Sequence, residues 1–339
     1  MNIDVALGQI FGILENFELP ASPDDVDTVH LFTQAMRLAF ADRNLYVGDA
    51  DFVTVPVEGM LNSTYLAERA ALIDMEMDMG TATPGIPPGT FDPSTPQIRT
   101  YEGGTSHISI IDQFGNAISM TTTVESYFGS GLMVRGFVLN NQITDFSFEN
   151  VDGEGVPIAN RVQPGKRPRS SMSPTIVLNP DSTLAYLAGS PGGFRIIGYV
   201  SSALMLMMDY GFDPQEAANT PHRQNQNGDT ELETPTEGIT MIYDKDALAE
   251  ALTLKGHNVV ERGGETSGLS LIEVSMEDGS LLGGADPRRD GTAGGRDSLE
   301  AAETMVPDDE EEDELIVADS EDLLDSDSGL AEESESLDP

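Results

Sequence analysis

Five prolines within a short stretch, Pro84, Pro87, Pro88, Pro93 and Pro96, divide this 339-residue chain into two parts of different character. Proline lacks an amide hydrogen and fixes its own φ, so neither a helix nor a central strand continues through such a density. Residues 80–104 are therefore predicted as an extended, exposed connector. Residues 1–79 before it read as helical. Ser22-Pro23-Asp24-Asp25 offers an N-cap, a proline at the first helical position and an acid at the third. Val26, Val29, Phe32, Met36 and Phe40 follow at helical spacing and predict one buried stripe, and residues 64–77 read as a further helix.

Residues 105–295 have a different period. Runs of β-formers at 106–112 and 117–123 flank Gln113-Phe114-Gly115-Asn116, which predicts a hairpin. A second hairpin is predicted from 175–178 and 183–188 around Asn179-Pro180-Asp181-Ser182. A third is expected from 269–274 and 280–283 around Glu277-Asp278-Gly279. Between them, Gly189-Ser190-Pro191-Gly192-Gly193 leads into an apolar helix near 194–209, and another helix at 246–255 is stopped by Gly256. Strand pairs interleaved with helices imply a layered α/β or α+β fold.

Charge narrows the choice of partners. There are 59 acidic against 17 basic residues, a net charge of −42. Such a surface repels a phosphate backbone, so nucleic acid is excluded as the main partner. Sixteen of the acids lie in 308–339, where no Lys or Arg occurs. Few large apolar residues accompany them, so 296–339 is predicted as a disordered acidic tail. The chain contains no Cys, which removes disulfides and a thiolate nucleophile. No apolar run reaches the roughly 18 residues of a membrane span. The opening MNIDVALGQIFGILENFELP carries Asp4 and Glu15 and no basic region, so it does not read as a signal peptide.

The chemistry-bearing spot is Gly103-Gly104-Thr105-Ser106-His107, where the connector meets the first predicted strand. A break before Thr105 would place a new α-amino group beside the Thr hydroxyl. That amine titrates near about pH 8 and can serve as a general base at neutral pH, where a Lys stays protonated. This is the threonine and N-terminal-amine form of nucleophilic catalysis. Taken alone, a Gly-Gly-Thr junction is also an ordinary linker-to-strand turn. His30, His222 and His257 are isolated in sequence, with no metal-ligand spacing.

The run that follows, TSHISIIDQFGNAISMTTTVESYFGSG, then LMVRG and FVLNNQITDFSF, resembles the start of the small subunit of the γ-glutamyltransferases, a family of N-terminal-nucleophile hydrolases. KRPRSSMSPTIV at 166–177, AGSPGGFRII at 188–197 and GGADPRRDGTAGG at 283–295 match further family motifs in the same order. LAFADRNLYVGDADFVTVPVEGMLNSTYLAER at 38–69 resembles the end of the large subunit. The resemblance implies an α+β fold, the four-layer αββα sandwich of N-terminal-nucleophile hydrolases, here N-terminally truncated. It assigns 1–79 to the helical end of the large subunit, 80–104 to the connector ending at the self-cleavage site, 105–295 to the small-subunit catalytic domain and 296–339 to the tail.

By the same resemblance, cleavage falls between Gly104 and Thr105. Thr105 is the nucleophile and Thr123, in TTTVES, its hydrogen-bonding partner. Glu125, Gln142 and Asp145 bind the substrate α-amino group, Ser170 and Ser171 its α-carboxylate, and Gly192 and Gly193 supply the oxyanion-hole amides. Charge logic agrees: an ammonium needs acceptors and a carboxylate needs donors, and two glycines permit close backbone approach. His107 is structural in the family pattern. The implied activity is γ-glutamyl transfer or hydrolysis on glutathione and similar γ-glutamyl amides, with water or an amine as acceptor. No cofactor or metal is implied, and neither a nucleic acid nor a membrane is an implied partner.

The resemblance further implies a large- and small-subunit heterodimer after cleavage. Only 104 residues precede Thr105, so the stretch holding the arginine that clamps the α-carboxylate in the family, and about half the layered core, is expected to be missing. The chain reads as a truncated gene, a fragment, or one half of a split enzyme completed by a separately encoded N-terminal part. Alternatives are a related acylase or amidohydrolase of the same fold, or a non-catalytic fragment or subunit. Family members are often periplasmic or secreted, and this chain carries no signal peptide to decide its compartment.

Overall fold

The computed structural model describes residues 5–90, 104–234 and 237–295. Met1–Ala293 form one compact unit and Gly294–Pro339 a second, of which Gly294 and Gly295 are described. The predicted acidic tail and part of the connector, 91–103, lie outside the described residues.

Four helices precede the connector: α1 (Val5–Leu14), α2 (Val26–Tyr46), α3 (Val57–Met60) and α4 (Ser63–Ala70). The N-cap of α2 is Asp25, whose side chain accepts from the Asp27 amide at 2.8 Å. The predicted cap at Ser22 is thus displaced. The Ser22 carbonyl instead accepts from the Asp25 amide and the Thr28 hydroxyl, closing a turn before the helix. The predicted single stripe is also corrected, because α2 is buried on every side from Thr28 to Arg43. One side packs on α1 and α4 through Phe32, Ala35, Met36 and Ala39, and Val29 joins a separate cluster with Leu248 and Leu252.

Full burial obliges the polar groups of α2 to find partners. Asp42 accepts from Gln9 Nε2 at 2.9 Å, Tyr65 Oη at 2.6 Å and the Gly85 amide at 2.8 Å, and pairs with Arg69 at 3.2 Å. The described start of the connector, 80–90, is neither helix nor strand, as predicted. It is exposed at Thr81, Thr83, Ile86, Pro88 and Gly89 but pinned between them: Gly85 is bonded to Asp42 and Tyr46, and Ala82 and Pro87 are buried.

Beyond the connector, β1 (Gly104–Ile111) and β2 (Ala117–Glu125) form the first predicted hairpin. Two short strands, β3 (Met133–Val134) and β4 (Phe137–Val138), follow. Next come β5 (Thr175–Leu178) and β6 (Leu184–Gly189), then α5 (Ile196–Tyr210) and α6 (Pro214–Asn219), the latter with a capping box from Asp213 to Glu216. After β7 (Arg223–Gln224) and β8 (Thr230–Glu233), α7 (Lys245–Leu254) crosses to β9 (Val259–Arg262), which pairs parallel with β8. β10 (Ser270–Val274) and β11 (Leu281–Ala285) complete an antiparallel sheet in the order β11-β10-β6-β5.

Three layers stack among the described residues. The apolar α5 packs on the four-stranded sheet through Tyr199, Val200, Ala203 and Leu204 against Ala188 and Leu271. On the other face sits the β1–β2 hairpin, and its inward side chains are polar. Ser109 donates to the Ser270 carbonyl at 2.9 Å and Ser119 to the Ala188 carbonyl at 3.1 Å. His107 lies against Gly189, where an added Cβ would fall 2.0 Å from the ring. The outward face carries Ile108, Ile110, Ile118 and Met120, which are 42%, 50%, 54% and 45% exposed, with Ser106 and Thr122 at its end near Thr105. The hairpin is therefore turned with its apolar face to solvent.

Candidate active site

The hairpin register sets the centre of the site. Thr105 on β1 lies opposite Thr123 on β2, and a bulge between Gly104 and Thr105 brings Gly104 opposite Glu125. A bulge re-aims the chain locally. Here it accompanies a linear relay: Thr105 Oγ1 donates to Thr123 Oγ1 at 3.0 Å, and Thr123 Oγ1 donates to the Gly104 carbonyl at 2.8 Å. The Glu125 amide donates to Thr123 Oγ1 at 2.8 Å, fixing that hydroxyl. Arg289 Nη1 donates to the Thr105 carbonyl at 3.1 Å and holds the strand start from the other side. Gly104 fits where a Cβ would approach the Tyr127 backbone to 2.9 Å.

Thr105 and Thr123 open onto a cavity of about 440 Å³, also lined by Glu125, Gln142, Asp145, Ser170, Ser171 and Gly193. Glu125 is 4% exposed and has φ +75°, a left-handed conformation that costs a non-glycine residue about 1–2 kcal/mol. Its carboxylate accepts from Asn141 Nδ2 at 2.6 Å and Ser126 Oγ at 2.9 Å, which anchor it despite the strain. Gln142 and Asp145 begin and end a 3₁₀ turn, and the Gln142 side-chain amide donates to the Asp145 carboxylate. Asn160 ties this turn to the serine loop by donating to the Asp145 carbonyl at 2.7 Å and accepting from the Arg169 amide at 2.8 Å.

Gly192 and Gly193 have φ of +127° and +61° and lead through a 3₁₀ turn into α5. Gly193 lines the cavity. Gly192 is not part of the wall; a Cβ there would meet the Tyr199 ring at 2.4 Å. The predicted residues thus converge, with Gly192 one position behind the cavity surface.

His107 lies outside the cavity wall. Its Nδ1 is 2.7 Å from Thr121 Oγ1, and burial between the two sheets pushes its pKa down to about 4, so the ring is neutral at pH 7. The expectation that the remaining histidines are isolated is corrected for two of them. His30 Nδ1 lies 2.7 Å from His257 Nε2, and His257 Nδ1 lies 2.7 Å from Thr230 Oγ1. This buried chain joins α2 to β8, far apart in sequence.

Sequence reasoning missed the cationic part of the wall. Arg43 in the last turn of α2, Arg169, Arg195 and Arg262 all line the cavity, as does Glu231, which binds Arg195 through two bonds of 2.7 Å. A signal existed. Phe40, Arg43 and Asn44 stand at i, i+3 and i+4 on one helical face, and all three line the cavity.

The stacked sheet and hairpin, with a threonine at a strand start facing acids, hydroxyls and a glycine turn, have counterparts among known proteins. A cephalosporin acylase from Bacillus halodurans has a similar structure, with a TM-score of 0.70 at 28% identity, over 85% of this chain and 48% of the acylase. The chain belongs to the gamma-glutamyltranspeptidase family, whose model matches residues 3–296. It is 37% identical over 290 residues to a glutathione hydrolase proenzyme of Escherichia coli K12, covering 83% of this chain and 47% of that protein. It is 32% identical over 291 residues to the acylase ACY 1 proenzyme of Pseudomonas sp. SE83, covering 85% and 47%. The chain spans about half the length of the curated relatives it matches.

Proposed function

We propose that this chain carries the nucleophile of a γ-glutamyl transferase and hydrolase acting on glutathione and related γ-glutamyl amides. The observation that carries the reading is the relay from Thr105 through Thr123 to the Gly104 carbonyl, at the edge of a cavity with both acids and hydroxyls on its wall. In the maturation step, Thr105 Oγ1 attacks the Gly104 carbonyl carbon while Thr123 donates a hydrogen bond to its oxygen. The peptide C–N bond breaks as the C–O bond forms, and the proton passes to the departing Thr105 nitrogen. Water then hydrolyses the ester, freeing the Thr105 hydroxyl and amine.

In turnover, Thr105 Oγ1 attacks the γ-carbonyl of the substrate. Its α-amine takes the hydroxyl proton and delivers it to the leaving amine. The Gly192 and Gly193 amides bind the developing oxyanion. Glu125, Gln142 and Asp145 accept from the substrate ammonium, and Ser170 and Ser171 donate to its carboxylate. Water or an acceptor amine then resolves the γ-glutamyl ester. Within this reading, 1–79 and 80–104 belong to the large-subunit side of the cut, 105–295 is the catalytic small subunit and 296–339 is an acidic extension.

The open apolar face of the hairpin supports a fourth layer supplied by a further polypeptide segment, because contiguous exposed apolar surface marks an interface. The rival reading, an acylase of the same fold, draws on the likeness to the cephalosporin acylase.

Hydrolysis of γ-glutamyl-4-nitroanilide and glutaryl-4-nitroanilide separates the two, since the glutaryl compound lacks only the ammonium. The γ-glutamyl compound is expected to be strongly preferred. Asp145→Ala is expected to lower kcat/KM for it by the about 2–5 kcal/mol of a lost buried charge contact, with chain cleavage intact. Equal rates on both anilides in the unmutated protein would favour the acylase.

A further inference from the structure

The serine loop makes one contact that the motifs do not foreshadow. Arg43 Nη2 donates to Ser171 Oγ at 2.6 Å and to the Ser170 carbonyl at 3.0 Å. Arg43 belongs to the helical region before the connector, 128 residues from Ser171 in sequence. It is buried, it lines the cavity, and its guanidinium lies 5.7 Å over the Phe40 ring. The Arg169 side chain returns a bond to the Arg43 carbonyl at 3.3 Å, so loop and helix end brace each other.

We propose that Arg43 is a positioning and specificity residue that commits the Ser171 hydroxyl to donate to a carboxylate in the cavity. The reasoning rests on donor inventory. A guanidinium has donors and no acceptor, while a serine hydroxyl has one proton and two lone pairs. Because Arg43 occupies a lone pair of Ser171 Oγ, the serine proton cannot point back at Arg43. Within the described residues Ser171 Oγ has Arg43 as its hydrogen-bond partner, and its proton has no protein acceptor. A hydroxyl polarised by a cation on one side is a stronger donor on the other. The ligand class selected is an acyl group bearing a carboxylate at its far end from the reacting carbonyl. The inference rests on the γ-glutamyl reading of the cavity and extends it across the connector, since the residue that orients the carboxylate site comes from the other side of the Gly104–Thr105 bond.

The test is calorimetric titration of the full chain with L-glutamate and with 4-aminobutyrate, which is glutamate without its α-carboxylate. The unmutated chain is expected to bind L-glutamate at least about 10-fold more tightly. Arg43→Gln should weaken L-glutamate by about 10-fold and leave 4-aminobutyrate within about twofold. Ser171→Ala should do the same, and the double variant should be no worse than either single one, because both act through one hydroxyl. Arg43→Lys, which keeps a donor and a charge, should retain part of the preference and serves if the Gln variant fails to melt cooperatively. A preference that survives undiminished in Arg43→Gln, equal weakening of both ligands, or losses that add in the double variant would overturn the assignment. A lack of preference in the unmutated chain would instead bring down the γ-glutamyl reading itself.

Discussion

Helix α2 and the β1–β2 hairpin invert each other's logic. α2 has a sequence of mixed character, with Gln34, Arg37, Asp42 and Arg43 among its apolar residues, yet it is buried on every side. The hairpin alternates cleanly, yet His107, Ser109, Ser119 and Thr121 face the protein while Ile108, Ile110, Ile118 and Met120 share the solvent face with Ser106 and Thr122. In α2 the buried His30, Gln34, Arg37, Asp42 and Arg43 are answered by partners outside the helix, and Thr33 by the helix's own carbonyls. In the hairpin the polar face has been used to join two sheets by hydrogen bonds, leaving the apolar face for something else. Amphipathic period therefore tells which residues share a face, and the neighbours decide which face goes inward.

The largest expected effect breaks the α2 side of this contrast. Asp42 is fully buried and receives four partners from three other parts of the chain. Asp42→Ala would leave the Arg69 charge without its carboxylate and Gln9 Nε2 and Tyr65 Oη without their acceptor in a dry site, at a cost of about 3–5 kcal/mol. Urea unfolding should show it as a large drop in midpoint. A loss below about 1 kcal/mol would mean that water reaches the site and that α2 is not sealed.

The smallest effect sharpens the hairpin side. Ile108→Thr and Ile118→Thr, made together, remove apolar groups that already meet solvent, so the stability of this chain should move by less than about 0.5 kcal/mol. The same variant should sediment with less self-association and should fail to bind any partner that covers the face. A loss of more than about 2 kcal/mol in unfolding would show that the face is covered within the chain and would remove the support for a fourth layer.

Much of the site was legible because its residues sit in contiguous motifs. TTTVES, LNNQITDF, RPRSSMSP and GSPGG each carry their own turn or bulge, and those local geometries bring Thr123, Glu125, Gln142, Asp145, Ser170, Ser171 and Gly193 to one wall. The hairpins were legible for the same reason, since their strands and turns are adjacent in the chain. What was hidden depends on distant partners. Arg43 reads as an ordinary helix-end cation until Ser171 is placed beside it. The His30–His257 pair and the parallel β8–β9 ladder join segments far apart in sequence. β7 is two residues long and β8 reads Thr-Glu-Leu-Glu, too short and too polar to signal a strand. The Ser22 cap was misplaced because two acids follow the proline, and either could begin the helix.

The central claim is that Thr105 is a nucleophile poised on its own preceding carbonyl, and intact mass spectrometry of the purified, folded chain tests it most directly. The relay through Thr123 predicts two pieces of 104 and 235 residues that together account for the 339-residue chain, while Thr105→Ala stays a single polypeptide. Cleavage of the Thr105→Ala variant at the same bond, or an unmutated folded chain that remains whole on prolonged incubation, would contradict it.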